Sequence, residues 1–180
     1  MSEPPAQSIF SGLNLVITAI AVVIAGATIW IQQYYAQKTL DRDGMMKVFE
    51  LLSNEKSKLH RRRIYQAFCS DKFNSDGKLL DNSFLEDVEY IRTVFGEIGH
   101  LVKNKYVPKK AFLNAYSGVI IKSWKTVQKN IDRERGLRKT KNYMEDFEWL
   151  YNEATKHWKK KNSDSPEPEP CNDTTKEIMK

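Results

Sequence analysis

Thirty-four consecutive residues, Pro4 to Gln37, carry no charged side chain. Their apolar core runs from Ile9 to Ile31. As a helix rising about 1.5 Å per residue it spans roughly 34 Å, against a hydrocarbon layer of about 30 Å. Ser11, Asn14, Thr18 and Thr28 are its strongly polar side chains. Ser and Thr hydroxyls can bond a carbonyl one turn back in their own helix, which makes them tolerable in lipid. Trp30, Tyr34 and Tyr35 follow at one end, where amphipathic rings favour the headgroup level. A buried core helix rarely runs this long without a charge, so residues 9–37 read as a transmembrane helix with an aromatic flank.

A cleavable signal peptide is the competing reading, since Ala25-Gly26-Ala27 has the small-x-small form of a cleavage site. Against it, no Lys or Arg precedes the segment, and the apolar run continues past the site through Ile29, Trp30 and Ile31. A retained anchor fits better. Lys38, Arg42 and Lys47 follow the segment closely, with Lys56, Lys58, Arg61, Arg62 and Arg63 behind them. Cationic flanks stay on the cytoplasmic side. The expectation is a single-pass inner (plasma) membrane protein with its N-terminus outside and everything after Gln37 in the cytoplasm. Ala21, Ala25 and Thr28 share one face, a small-residue pattern through which two such helices could pair into a homo-oligomer.

The remaining chain is polar and basic. Mean hydropathy over all 180 residues is −0.59 and the net charge +6. Residues 38–160 hold 26 cations and 17 anions, while residues 161–180 hold three Lys and five acids. This last segment, with Pro166-Glu167-Pro168-Glu169-Pro170, has little to bury and reads as a disordered acidic, proline-rich tail. Two Cys exclude a disulfide-dense scaffold. With Cys69 and Cys171 both placed in the cytoplasm, a bond between them is not expected.

Between about 44 and 160 the apolar period is helical. Met45, Phe49 and Leu52 form one stripe. Leu59, Ile64, Ala67 and Phe68 continue an apolar face, with a break possible at Ser53-Asn54, which leaves open whether 44–68 is one helix or two. Cys69 to Asn82 is turn-rich. Ser83 with Glu86, and Asn142 with Glu145, have the spacing of capping boxes. The first precedes the stripe Phe84, Val88, Ile91, Phe95, Ile98, Val102; the second precedes Tyr143, Phe147, Leu150, Tyr151, Ala154, Trp158. Val107-Pro108 separates the first stripe from Phe112, Tyr116, Val119, Ile120, Trp124, Val127 and Ile131, and Gly136 is the expected stop. Four such helices joined by short loops most simply form an antiparallel bundle. The fold class is therefore all-α: a transmembrane helix (9–37), a cytoplasmic antiparallel four-helix bundle (38–160) and a disordered tail (161–180).

The run Phe95-Gly96-Glu97-Ile98-Gly99-His100-Leu101-Val102, the Tyr-Val-Pro turn at 106–108 and Phe147-Glu148-Trp149-Leu150 resemble a family of uncharacterised prokaryotic proteins. Its members have one N-terminal membrane helix and a small helical cytoplasmic domain of unknown function. The resemblance covers roughly residues 9–160. It implies that architecture and no activity, because its motifs are packing motifs.

No catalytic, cofactor-binding or metal site emerges. A calcium-loop alignment of Lys72 to Ser83 puts Lys and Ser where carboxylates are needed. His60, His100 and His157 lack a second ligand one turn away. Glu86, Asp87 and Glu89 sit in a first helical turn, where acids complement the helix dipole. His60 and Arg63 project toward an apolar face and are candidate buried polar residues; a buried Arg demands a carboxylate, with Asp87 or Asp146 in range. Arg133, Arg135, Arg138, Lys139 and Lys141 form a basic cluster between helices, but acids interleave and no nucleic-acid-binding signature accompanies it.

The favoured function is a membrane-anchored interaction module that binds a protein partner or anionic lipid. A small-ligand sensor or enzyme with a polar pocket among the helices is the alternative, and a membrane-tethered nucleic-acid binder the third. In antiparallel order the cations gather at the membrane-proximal end, so the candidate lipid contacts are Lys38, Arg42, Lys47, Lys103, Lys105, Lys109, Lys110, Lys156, Lys159 and Lys160. Trp149, opposite its helix's core stripe, is expected to be a partner anchor or to lie under the tail.

Overall fold

A computed structural model describes the backbone of residues 6–171 and the side chains of residues 15–171. It is all-α, with five helices: α1 (Ala6–Ser53), α2 (Glu55–Cys69), α3 (Leu85–Lys103), α4 (Lys109–Arg138) and α5 (Glu145–Lys161). Among the described residues there is no strand, only an isolated bridge between Phe73 and Leu79 in the α2–α3 loop. The chain divides after Leu40 into two compact units.

The first unit is the apolar part of α1. Its Leu, Ile and Val side chains from Leu15 to Ile31 are exposed, and this one helix is long and apolar enough to cross a membrane. The Thr28 hydroxyl donates to the Ile24 carbonyl at 2.8 Å, the return bond that makes a threonine tolerable among apolar neighbours. Trp30 stacks on Tyr34, and the Lys38 ammonium lies over the Tyr34 ring. The side chains of Ser11 and Asn14 lie outside the described residues.

In the second unit α2 to α5 share one core with the last turns of α1. Its largest buried side chains include Trp124, Phe95, Phe112 and Phe147, with Phe147 stacked on Phe95 and edge-on to Trp124. The expected stripes of α3, α4 and α5 supply most of it. Cross-links give the directions. Lys56 meets Tyr90, His60 meets Asp87 and Arg63 meets Ser83, so α2 runs antiparallel to α3. Arg135 meets Glu148 and Asn114 meets His157, so α5 runs antiparallel to α4. Where α5 crosses α3, a Cβ on Gly99 would collide with the Asp146 carbonyl; only glycine permits that approach.

Residues 44–68 are two helices. Asn54 is extended at φ −66°, ψ 153°, and its side chain accepts from the Ser57 amide at 2.6 Å, capping α2. The chain does not reverse there. Gly44 packs on Tyr106 and Lys56 on Tyr90, so both sides of the break run along α3 in one direction. The core stripe of α1 is Met45, Val48 and Leu52, whereas Phe49 is exposed. Leu59 is exposed as well. Both departures are one position of helical phase: at about 100° per residue, 45-48-52 and 45-49-52 are equally good patterns until a partner chooses.

Neither expected capping box forms. Asp81, not Ser83, caps a 3₁₀ turn at Asn82–Phe84, and α3 starts without a side-chain cap. Met144, in the left-handed region, precedes α5, also without one. Helix α4 passes through Gly136 and stops at Arg138, with Lys139 left-handed at φ 52°. The amides of Lys139 and Thr140 bond the carbonyls of Gly136 and Arg135, the paired closure of a Schellman motif.

The tail departs furthest from expectation. Residues 162–171 pack along α4 and α5 instead of being disordered, and Pro170 is buried. A disulfide joins Cys69 at the end of α2 to Cys171, the bond that cytoplasmic placement argued against. Composition alone missed the anchor, because the tail gains order from this covalent bond and from ion pairs, not from apolar area of its own. Residues 172–180 lie outside the described residues.

Candidate functional site

Part of the cationic charge is already spent on carboxylates. At the end of the domain where α4 closes, Arg133 and Arg138 pair with Glu134, and Arg135 with Glu148 and Asp132. Arg138 also lies over the Tyr143 ring, 4.5 Å from its centre. The three arginines of the basic cluster at 133–141 are thus paired within the fold, and its Lys139 and Lys141 are not.

The opposite end differs. There the start of α4 and the last turns of α5 line an open cleft of ≈ 770 Å³ that includes Lys109, Lys110, Lys156, His157, Lys160 and Lys161. Glu153 sits among them and takes hydrogen bonds from Lys109 at 2.9 Å and Lys156 at 3.0 Å. Those two ammoniums hold its carboxyl below the ordinary 4.5. Lys103 is spent too: it bonds Asp146 and Glu145. Lys159 pairs with Glu167 of the tail, and Arg42 with Asp43. Among the described residues, Lys47, Lys105, Lys110, Lys160 and Lys161 at this end have no carboxylate within 4.0 Å, as Lys139 and Lys141 have none at the other. Of the ten candidate lipid contacts, then, Lys47, Lys105, Lys110 and Lys160 carry unpaired charge, and Lys161 joins them. Lys38 belongs to the first unit, over Tyr34.

This basic end is also where the domain begins. Gly44 meets the Tyr106–Val107 turn so closely that a Cβ would collide with the Tyr106 carbonyl. Lys105, Lys109 and Lys110 flank that turn. Beside it α1 presents an exposed face, with Met46 at 66% and Phe49 at 58% exposure, among Arg42, Lys47, Asp43 and Glu50.

His60 and Arg63 converge on Asp87. His60 is buried, its Nδ1 2.6 Å from Asp87 Oδ1, its ring stacked on Tyr90. Arg63 keeps 43% of its side chain exposed and sets Nε 3.0 Å from Asp87 Oδ2, in ion-pair range though not aligned for a hydrogen bond. Asp87 is only 1% exposed, so it serves as a buried counter-ion more than as a dipole partner of its helix.

Two features escaped the sequence reading. Arg92 is buried, donating to Asn130 Oδ1 at 2.9 Å, while Asn130 donates to the Gly77 carbonyl; only the tertiary fold brings these three segments together. The second is Trp158, whose indole donates to the Pro166 carbonyl at 3.2 Å. Trp158 is the tryptophan that the tail meets, whereas Trp149 packs half-buried against the core.

No group of three or more His, Cys, Asp and Glu placed to share a metal occurs among the described residues. A family model described as a domain of unknown function, DUF4760, matches residues 15–158. The chain belongs to the DUF4760 family. The match takes in the apolar segment from Leu15 and the helical domain through Trp158, but stops before the strapped tail. No curated protein and no solved structure matches this DUF4760 member.

Proposed function

We propose that this DUF4760 member is a single-pass membrane protein whose helical domain, an antiparallel four-helix bundle on the cytoplasmic side, rests its basic end on anionic lipid headgroups. The observation that carries this is a gathering of unpaired cations: Lys105, Lys110, Lys160 and Lys161 stand together without carboxylates, whereas at the far end the three arginines hold theirs and Lys139 and Lys141 alone of that cluster do not. The unpaired set lies at the end where the domain follows on from the apolar helix, fixed by Gly44 against Tyr106. Each Lys near an anionic surface contributes up to about 1 kcal/mol, within a Debye length of about 8–10 Å. Met46 and Phe49, exposed on α1 beside Arg42 and Lys47, add apolar side chains suited to the interface. The cations after Gln37 support the cytoplasmic orientation, where the Cys69–Cys171 bond is open to reduction.

The test is lysine acylation of the full chain in nanodiscs, read by mass spectrometry. With anionic lipid, Lys105, Lys110, Lys160 and Lys161 should be protected relative to zwitterionic lipid, and protection should vanish at high salt. Lys139 and Lys141 should react equally in both. Equal protection at both ends, or at neither, refutes the oriented contact.

A further inference from the structure

The tail crosses α4 in a way that reads as a bound ligand. Pro166 offers its carbonyl to the Trp158 indole, and Pro168 lies over Gly118, where a Cβ would be 3.7 Å from its ring and 3.5 Å from Trp158. Glu167 and Glu169 both reach Lys125, and Glu167 also reaches Lys159 at 3.1 Å. Alternating Pro and Glu thus present apolar rings to a flat glycine-and-tryptophan seat and carboxylates to two lysines. Between strap and helix an open cleft of ≈ 610 Å³ remains, lined partly by Ala115, Val119 and Lys122. Burial alone would lower the Lys125 ammonium, but its bonds to Glu169 and Glu167 raise it overall. The seat is built for this chemistry: an extended proline-rich chain keeps its carbonyls outward and loses little entropy on binding.

We propose that the groove on α4 and α5 formed by Gly118, Lys125, Trp158 and Lys159 is a docking site for an acidic proline-rich segment of another polypeptide. This chain's own residues 166–169 occupy it in cis, latched by Cys69–Cys171. A dithiol reductant opens the latch. Its thiolate attacks one sulfur and breaks the S–S bond, and its second thiol then closes its own disulfide. Two electrons and two protons pass to Cys69 and Cys171, leaving two thiols. The strap then holds by its non-covalent contacts alone and exchanges with a competitor. The proposal stands apart from the lipid contact and does not depend on it, since the two surfaces use different lysines.

The experiment uses the full chain in detergent and a fluorescein-labelled peptide with the sequence of residues 162–170. A tethered strap competes at an effective concentration in the millimolar range, so the groove is emptied by combining Glu167→Lys, Glu169→Lys and Cys171→Ser. This variant should bind the peptide at least ~10-fold more tightly than the oxidised wild type, as fluorescence anisotropy reads it. Adding Lys125→Ala should abolish binding. Should the combined variant fail to fold, Cys171→Ser with the milder Glu167→Gln and Glu169→Gln serves. With glutathione disulfide as oxidant, a peptide of residues 162–171 should form a mixed disulfide with Cys69 at least ~10-fold faster than a scrambled peptide also ending in Cys, because docking raises the local thiol concentration. Failure of the emptied groove to bind, equal binding of a peptide with Ala in place of Pro, or equal capture of the scrambled peptide would overturn the proposal.

Discussion

Asp87 shows how one side chain organises its surroundings. It is buried beneath two basic groups from α2, one nearly as buried as itself and one half in solvent. Removing the acid leaves His60 without its partner inside the fold, so Asp87→Ala should cost about 2–4 kcal/mol in urea denaturation, toward the lower end of broken buried pairs because Arg63 can turn to water. Arg63→Leu should cost about 1 kcal/mol or less, as expected for a half-exposed pair. Arg63→Glu, which sets a second acid against Asp87, should cost clearly more; equal stabilities for the two Arg63 variants would contradict the pairing. The surface pairs set a pH window. Glu153 and Glu167 titrate below their ordinary 4.5, so their contribution is complete above that value and is lost as pH falls through the lowered one. Lys103 and Lys125 titrate above their ordinary 10.5, so theirs is complete below that value and is lost as pH rises through the raised one. Melting temperature should therefore be flat between those limits with respect to these groups and fall on either side. A decline centred near pH 7 would assign stability to other groups.

Three helices end alike. Just past the ends of α2, α3 and α4 stand Asp71, Lys105 and Lys139, each left-handed, at φ 51°, 63° and 52°, and each in the paired bonding of a Schellman motif. A side chain with a Cβ pays roughly 1–2 kcal/mol to sit there, partly offset in glycine by its larger unfolded-state freedom. Lys105→Gly and Lys139→Gly should each raise stability by about 0.5–1 kcal/mol, measured by urea denaturation; a loss would mean that the lysine stems contribute packing that outweighs the strain. Sequence periodicity identified the buried faces of α3, α4 and α5 because their spacing is set by the helix itself. It could not find these ends, since Gly136 and the two Ser/Asn…Glu spacings offered local signals that tertiary packing overrode. The same division holds for the candidate site. Which lysines exist was plain, but which remain unpaired depended on acids about forty residues away, such as Glu153 for Lys109 and Asp146 for Lys103.

Across the whole domain two different devices position the parts. One is Gly44, which keys the last turns of α1 to the α3–α4 turn. The other is the bond between Cys69 and Cys171, which no pattern in the sequence announced, since two cysteines 102 residues apart fix nothing until the fold brings their Cα atoms to 5.5 Å. Closing a loop of that length removes several kcal/mol of entropy from the unfolded chain in the simplest description. Its mechanical consequence is separate from stability. Every residue of α3, α4 and α5 lies within the covalent ring, so a force applied between the apolar helix and the end of the chain passes from Cys69 directly to Cys171 and leaves those helices unloaded. Cutting the bond would bring the enclosed segment under tension and add about 350 Å of extendable chain, at about 3.3–3.6 Å per residue. The oxidised protein is a short tether, and the reduced one a long tether that can unravel.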